Sequence, residues 1–157
     1  MYPNPVRVGP YSCSPYVYQL IITASERHQV PWCLLFGICA AESGLNPGAS
    51  NITEKEASYG LLQLNTRGGQ GAGYIPADLL DPAINLRIGT PPIAAAYLRA
   101  QKRGLYGDRL IRAVCASSGH PRSDGVEDVA VYTIASVVRT CTLTPDNKLV
   151  TYPPPPF

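Results

Sequence analysis

No apolar run in the 157-residue chain reaches the roughly 18 residues that span a bilayer, so no membrane span is expected. The N-terminal MYPNPVRVGPYS lacks the basic-then-apolar order of a secretory signal. Three explanations stay open: the protein is not exported by that route, a signal has been removed, or it leaves the cell inside a larger assembly. Charge is sparse too. Thirteen Lys and Arg against eleven Asp and Glu give a net charge of +2, with no basic stripe interleaved with aromatics. That is too small to argue for nucleic acid, and no such partner is expected. No C-x-x-C occurs, which argues against a zinc ribbon or a thioredoxin-like site. The glycine-rich RGGQGAGY has no following Lys-Ser/Thr, so it is not a phosphate loop. No internal repeat is present, and no metal or other cofactor is implied.

What is there fits one domain. Hydrophobic residues make up 45% and charged residues 15%, a globular balance at a length suited to a single core. The five cysteines, Cys13, Cys33, Cys39, Cys115 and Cys141, allow two readings. They are buried free thiols, or one disulfide ties the N-terminal arm or the C-terminal tail to the core. A nucleophilic Cys would need His28 or His120 as partner, and sequence cannot place either beside a thiol.

The pattern predicts about six helices and little sheet. Residues 1–14, rich in Pro, Gly and Tyr, read as an extended arm. Ser14-Pro15 starts a helix whose inner face is Val17, Leu20, Ile21, Ala24 and His28. Pro31 opens a second helix, WCLLFGICAAES, apolar nearly all round and therefore buried; Gly44 ends it. Residues 46–80 read as mostly irregular. Asp81-Pro82 starts a helix that Pro91-Pro92 should kink or restart. It continues through Ile93, Tyr97 and Leu98. Asp108 is read as the cap of the next helix, and Asp124 as the start of the last, with Val126, Val129, Thr133 and Val137 on its stripe. CTLTPDNKLVTY suggests a C-terminal hairpin, followed by a polyproline end.

Glu42 is the anomaly. The ten residues before it carry no charge, and it falls in the last turn of the apolar helix. The helix dipole and the neighbouring core both disfavour a carboxylate there, so a raised pKa is expected. An acid still protonated near neutral pH is what glycosidic cleavage requires of its proton donor. Local context alone equally allows a helix-end Glu pointing into water.

The segments that follow decide between them. Glu42-Ser43, Asn46-Pro47, Gly60-Leu61-Leu62-Gln63 and Asp81-Pro82…Asn85…Gly89 stand in an order that resembles the lysozyme-like lytic transglycosylases over roughly residues 16–140. The resemblance implies a mainly α, lysozyme-like domain over residues 15–140, with an irregular or short β segment at the cleft. Residues 1–14 and 141–157 flank it as arm and tail. It implies that Glu42 protonates the glycosidic oxygen of the MurNAc-β-1,4-GlcNAc bond and then acts as base. Ser43, Tyr59, Gly60, Gln63, Asn65, Tyr74, Ser118 and His120 would line or support the sugar sites. Gly60 would let backbone approach saccharide, Tyr74 would stack on a sugar from a flexible glycine-rich rim, and Asn85 would be structural, bonding to backbone.

Two departures stand out. The stretch ITEKEAS lengthens the interval from Glu42 to Gln63, and CASSGHP replaces the family's Ala-Tyr-Asn-x-Gly-Pro, leaving Ser117, Ser118 or His120 for the Tyr near the acid. Two other readings stay beside the transglycosylase. One is a goose-type-lysozyme-like hydrolase with Glu54 or Glu56 activating water. The other is a lysozyme-like structural part of a phage tail. The partner is the peptidoglycan glycan strand, with other virion or tail proteins docking through the terminal arms. The GGQGAGY and SGHP variations resemble phage and virion-borne members, which puts the protein in a virion or at the wall it degrades.

Overall fold

A computed structural model describes residues 5–119 and 127–143. Within the stretch read as an extended arm, the described residues form a hairpin of β1 (Val6–Val8) and β2 (Tyr11–Cys13), in the register Val6 to Cys13. Val8 and Cys13 are buried, and β1 packs on the last helix. The alternation that sets these residues inward is only three residues long in each strand, too short to read as strand in the sequence.

Helix α1 (Pro15–His28) starts as its sequence dictates, with Ser14 Oγ accepting from the Val17 amide at 3.1 Å. Arg27 and His28 in its last turn suit the negative end of the dipole. Helix α2 (Trp32–Ser43) follows after Pro31 and ends at Gly44, φ 62°. Nine consecutive residues, Trp32 to Ala40, are buried. With no polar face to offer water, α2 can only be the central helix.

The region after α2 is less irregular than its composition suggests. Strands β3 (Ser50–Ile52), β4 (Ala57–Tyr59) and β5 (Leu64–Asn65) form an antiparallel sheet in the order β3-β4-β5. The ITEKEAS stretch is the β3–β4 hairpin. A single turn of helix, α3 (Pro76–Leu79), then drops Leu79 into the core.

Helix α4 (Pro82–Lys102) is capped by Asp81, whose Oδ1 accepts from the amides of Ala83 and Ile84 at 2.9 and 3.2 Å. It runs as one helix through Pro91 and Pro92, without the restart that the sequence allowed. Two helical amides are missing there. Burial of Leu86, Gly89, Ile93, Ala96 and Tyr97 on one face holds the helix together regardless. Leu98 is exposed.

Helix α5 (Gly107–Ser118) has Tyr106 at its N-cap with no side-chain bond; Asp108 lies inside the first turn rather than capping it. There it still favours the positive dipole end. Helix α6 (Glu127–Leu143) buries Ala130, Val131, Ile134, Ala135, Val137, Val138 and Cys141. The stripe is therefore rotated from the one expected: Val129 is 64% exposed. Val126, the start at Asp124 and the C-terminal hairpin lie outside the described residues.

The two most extensively packed helices are α2 and α6. Gly37 makes this possible, since a Cβ there would stand 3.2 Å from both Cα and Cγ2 of Ile134. Around this pair α1, α4 and α5 close one continuous apolar core. No helix among the described residues is long and apolar enough to cross a membrane.

Candidate functional site

Glu42 sits in the final turn of α2, half-buried, just where the helix leaves the core. The exit is tightly defined. The Gly44 amide donates to the Ala40 carbonyl and the Leu45 amide to the Cys39 carbonyl, at 3.0 and 3.3 Å. Leu45 adopts φ 64°, a left-handed conformation that a leucine enters at a cost, and its side chain is buried. Burial of the side chain offsets the strain and fixes the direction in which the chain departs. Glu42 is also close enough to Cys39 to perturb it. Burial first, and the Glu42 charge second, push the Cys39 thiol up.

From this exit a run of hydrogen bonds leads to the Gly60-Leu61-Leu62-Gln63 turn. The Asn46 amide donates to the Ser43 carbonyl at 3.2 Å and the Ala49 amide to the Asn46 carbonyl at 3.2 Å. Asn46 Oδ1 accepts from the Gly48 amide at 2.9 Å, an Asx turn that its Asn-Pro-Gly sequence favours. The Ala49 carbonyl then accepts from the Gly60 amide at 2.8 Å and from Gln63 Nε2 at 3.2 Å. The chain of bonds therefore sets the turn against the end of the Glu42 helix.

The turn is held from its other side by Asn85 of α4, which is fully buried. Its Oδ1 accepts from the Leu62 amide, and its Nδ2 donates to the carbonyls of Tyr59 and Leu79, each at 2.9 Å. This is the backbone-bonding role expected of it. Gly60, φ 81°, faces this amide: an added Cβ would come within 2.3 Å of Asn85 Nδ2 and 2.2 Å of the Leu79 carbonyl oxygen. The glycine is thus demanded by the interior of the protein, whereas a close approach of saccharide was the reason anticipated from the sequence.

The other residues singled out in the sequence fall into place as follows. The Ser43 hydroxyl donates to the Cys39 carbonyl of its own helix at 3.0 Å. Tyr59 is half-buried at the end of β4, opposite Ser50. Gln63, half-buried with φ 47°, spends Nε2 on the Gly60 and Ala49 carbonyls at 2.9 and 3.2 Å, so its amide oxygen is the group left for a ligand. Asn65 is buried, and its Oδ1 accepts from the amides of Ala57 and Arg67 at 3.1 and 2.9 Å. That oxygen closes the sheet.

Tyr74 and Ser118 belong to a second group. Tyr74 is 41% exposed on the glycine-rich loop. Backbone bonds from Gly71, Ala72 and Tyr74 to the carbonyls of Asn65, Gly69 and Gly71 shape that loop, and Gln70 Nε2 donates to the Ser118 carbonyl at 3.1 Å. A loop expected to be a loose rim is pinned at several points. Ser118 is buried, with its hydroxyl donating to the Val114 carbonyl at 2.6 Å. The Ser117 hydroxyl accepts from Arg99 at 2.7 Å. His120 lies outside the described residues.

The hairpin acids differ from one another. Glu54 is exposed. Glu56 accepts from Asn51 Nδ2 at 2.6 Å and from the Ser58 hydroxyl at 3.3 Å. The contributions of Leu45, Ala49 and Gln70 escaped the sequence reading. Only Gln70, a lone amide among glycines, carried a visible signal.

The arrangement sets the Glu42 carboxyl at the end of a buried helix, near a turn held by hydrogen bonds from both sides. No curated protein matches the chain. A family model described as transglycosylase SLT domain matches residues 19–117, a span that begins in α1, ends in α5 and contains Glu42, the Gly60–Gln63 turn and Asn85. With well over half of its length in that match, the chain belongs to the transglycosylase SLT domain family.

Proposed function

We propose that the protein cuts the MurNAc-β-1,4-GlcNAc bond of peptidoglycan with Glu42 as its single general acid and base. Membership in the family supports peptidoglycan cleavage of the lytic transglycosylase type. The observation that carries this reading is the position of Glu42, in the one turn of α2 that emerges from the core, joined by hydrogen bonds to the Gly60–Gln63 turn. The carboxylic acid gives its proton to the glycosidic oxygen as the bond breaks and positive charge develops on the sugar ring. The resulting carboxylate then takes the proton from the sugar's own C6 hydroxyl, whose oxygen closes on C1. A 1,6-anhydro end results, no water is consumed, and Glu42 returns to its acid form.

Glu42→Gln is the test. It preserves shape and removes the transferable proton. Purified peptidoglycan should be cleaved at least about a hundredfold more slowly, with the circular dichroism and melting temperature of the parent. Activity retained at more than a few per cent would remove Glu42 from the role. Mass spectrometry of the products identifies the reaction, because anhydro ends lack one water. The resemblance of the glycine-rich segment to virion-borne members extends the proposal to a phage particle, which antibody detection in purified virions would check.

A further inference from the structure

One cavity lies outside the site described so far. It has a volume of about 260 Å³ and opens between the later turns of α1 and the first two turns of α4. Small residues, Ala24 and Ala83, stand where larger ones would fill the space. The floor is apolar, with Leu20 from α1 and Ile84 and the buried Leu86 from α4. The charges around it have one sign. Arg27 comes from α1 and Arg87 from α4, both exposed, and no Asp or Glu lines the cavity. Among the described residues neither guanidinium is engaged in a hydrogen bond or an ion pair. Nothing in the proposed chemistry at Glu42 uses these residues.

We propose that this cavity binds the carboxyl end of a short peptide with small apolar side chains. A guanidinium from each helix suits a carboxylate, which the planar fork takes in two parallel hydrogen bonds. The apolar floor suits aliphatic side chains and gives a sugar ring little to hydrogen-bond. The volume falls below the roughly 300–1,000 Å³ of pockets that take drug-sized ligands, so the fit is to one or two residues. The start of α4 disfavours a phosphate. There the Ala83 and Ile84 amides already donate to Asp81 Oδ1 at 2.9 and 3.2 Å, and the Asp81 carboxylate would repel a dianion. His28 is half-buried, and burial first and Arg27 second hold it below its usual pKa. Near pH 7 it is a neutral ring that can hydrogen-bond a peptide group instead of adding a third charge.

On the reading that the substrate is the cell wall, such a peptide has a source, because peptidoglycan strands carry short peptides that contain alanine and end in a carboxylate. Helix α4 joins the two places. Asn85 turns inward to hold the Gly60–Gln63 turn, while Ile84 and Arg87, its neighbours on the helix, face the cavity. A strand held there by its peptide is retained between cuts.

The experiment uses the whole chain and does not depend on wall cleavage. Isotope-labelled protein is titrated with N-acetyl-D-alanyl-D-alanine, with its C-terminal amide, with inorganic phosphate and with phosphatidylglycerol vesicles, and its amide resonances are followed by NMR. The peptide should give saturable shifts in residues 20–28 and 83–87, with a dissociation constant of about 1 mM or below. The amide should bind at least about tenfold more weakly, and added salt should weaken the peptide. The double variant Arg27→Gln, Arg87→Gln should also lose at least about tenfold, with the melting temperature of the parent because both side chains are exposed. Absent or unsaturable shifts, shifts confined to other residues, or an unchanged affinity in the double variant would overturn the proposal. So would phosphate or vesicles binding as tightly as the peptide. Glu42→Gln should bind the peptide as the parent does. A protein that cuts walls but ignores the peptide sinks this site alone, and one that binds the peptide but cuts no wall sinks the transglycosylase reading alone.

Discussion

Gly60 and Asn85 occupy space that only one of them can use: a methyl group on Gly60 would stand 2.3 Å from the Asn85 amide nitrogen. The absent side chain of one is the condition for the three hydrogen bonds of the other. Gly60→Ala must therefore push out an amide that has no other place to go, at a position whose φ of 81° already disfavours alanine. A loss of about 3 kcal/mol or more is expected in urea unfolding. A change below about 1 kcal/mol would mean that the turn yields readily.

Asn85→Ala removes the partner of the Leu62 amide and of the Tyr59 and Leu79 carbonyls, leaving them inside the protein. Orphaned buried groups cost about 1–3 kcal/mol each, so a total near 3–5 kcal/mol is expected. Asn85→Asp should be nearly as harmful, because a carboxylate would face two carbonyl oxygens. Equilibrium unfolding of both variants provides the measurement. If Asp proved as stable as Asn, the donating side of the amide would not matter.

Gln63 ties the Ala49 and Gly60 carbonyls together through one nitrogen, on a backbone with φ 47°. Gln63→Ala should cost about 1–2 kcal/mol of stability and slow wall cleavage by less than Glu42→Gln does. Gln63→Gly, which relaxes the backbone, should be the more stable of the two variants while being equally slow. Rates on purified peptidoglycan, set beside melting temperatures, would separate the shaping role from a catalytic one. An Ala variant as inactive as the Glu42 variant, yet fully folded, would reassign the chemistry.

Glu54 and Glu56 are the acids that a water-activating mechanism would recruit. Both lie at the turn of the β3–β4 hairpin, and Glu56 already accepts hydrogen bonds from Asn51 and Ser58. A hydrolase needs its second carboxylate within about 5–9.5 Å of the first. The double variant Glu54→Gln, Glu56→Gln should cleave within about threefold of the parent rate and give anhydro ends. Reducing ends from the parent, lost in the double variant, would establish hydrolysis.

The buried thiols predict alkaline sensitivity. Burial moves Cys13 from 9.0 up to about 11. The hydrogen bond with Cys141 and burial raise Cys33, while burial and the Glu42 charge raise Cys39. In the unfolded chain these thiols ionise near 9, and in the folded one they keep their protons. Between pH 9 and 11 the unfolded state therefore binds fewer protons, and stability falls as pH rises. Below pH 9 the contribution is fully present. Urea midpoints under reducing conditions should fall steadily from pH 8.5 to 10.5. A flat profile would mean that the thiols are not shielded.

Much of this was legible in the sequence where one residue type has one physical job. Ser14 and Asp81 cap helices because their oxygens reach two or three residues ahead, and Gly44 ends α2 because it accepts a left-handed φ. The seal around α2 followed from the lack of any polar face. Elsewhere the deciding contact came from a distant part of the chain. The reason for Gly60 lies 25 residues later in Asn85, and Pro91-Pro92 are tolerated because neighbouring elements cover α4. The rotation of the α6 stripe was hidden because valines stand on both its faces, so their spacing admits more than one phase. Asn65 looked like a sugar ligand from its place in the motif, while its oxygen is taken up by two amides that sequence order does not reveal.

The sealing of α2 has a kinetic side. Backbone amides near its middle, from Phe36 to Ala40, should exchange only on global unfolding, and those from Leu45 to Ala49 through local opening. Glu42 stands at the border between the two regimes. It is held at the end of the most shielded segment yet is itself only half-buried, so on the proposed chemistry water could return a proton to it after an aborted turnover. Hydrogen–deuterium exchange should show that border as a step in rate across residues 40 to 45.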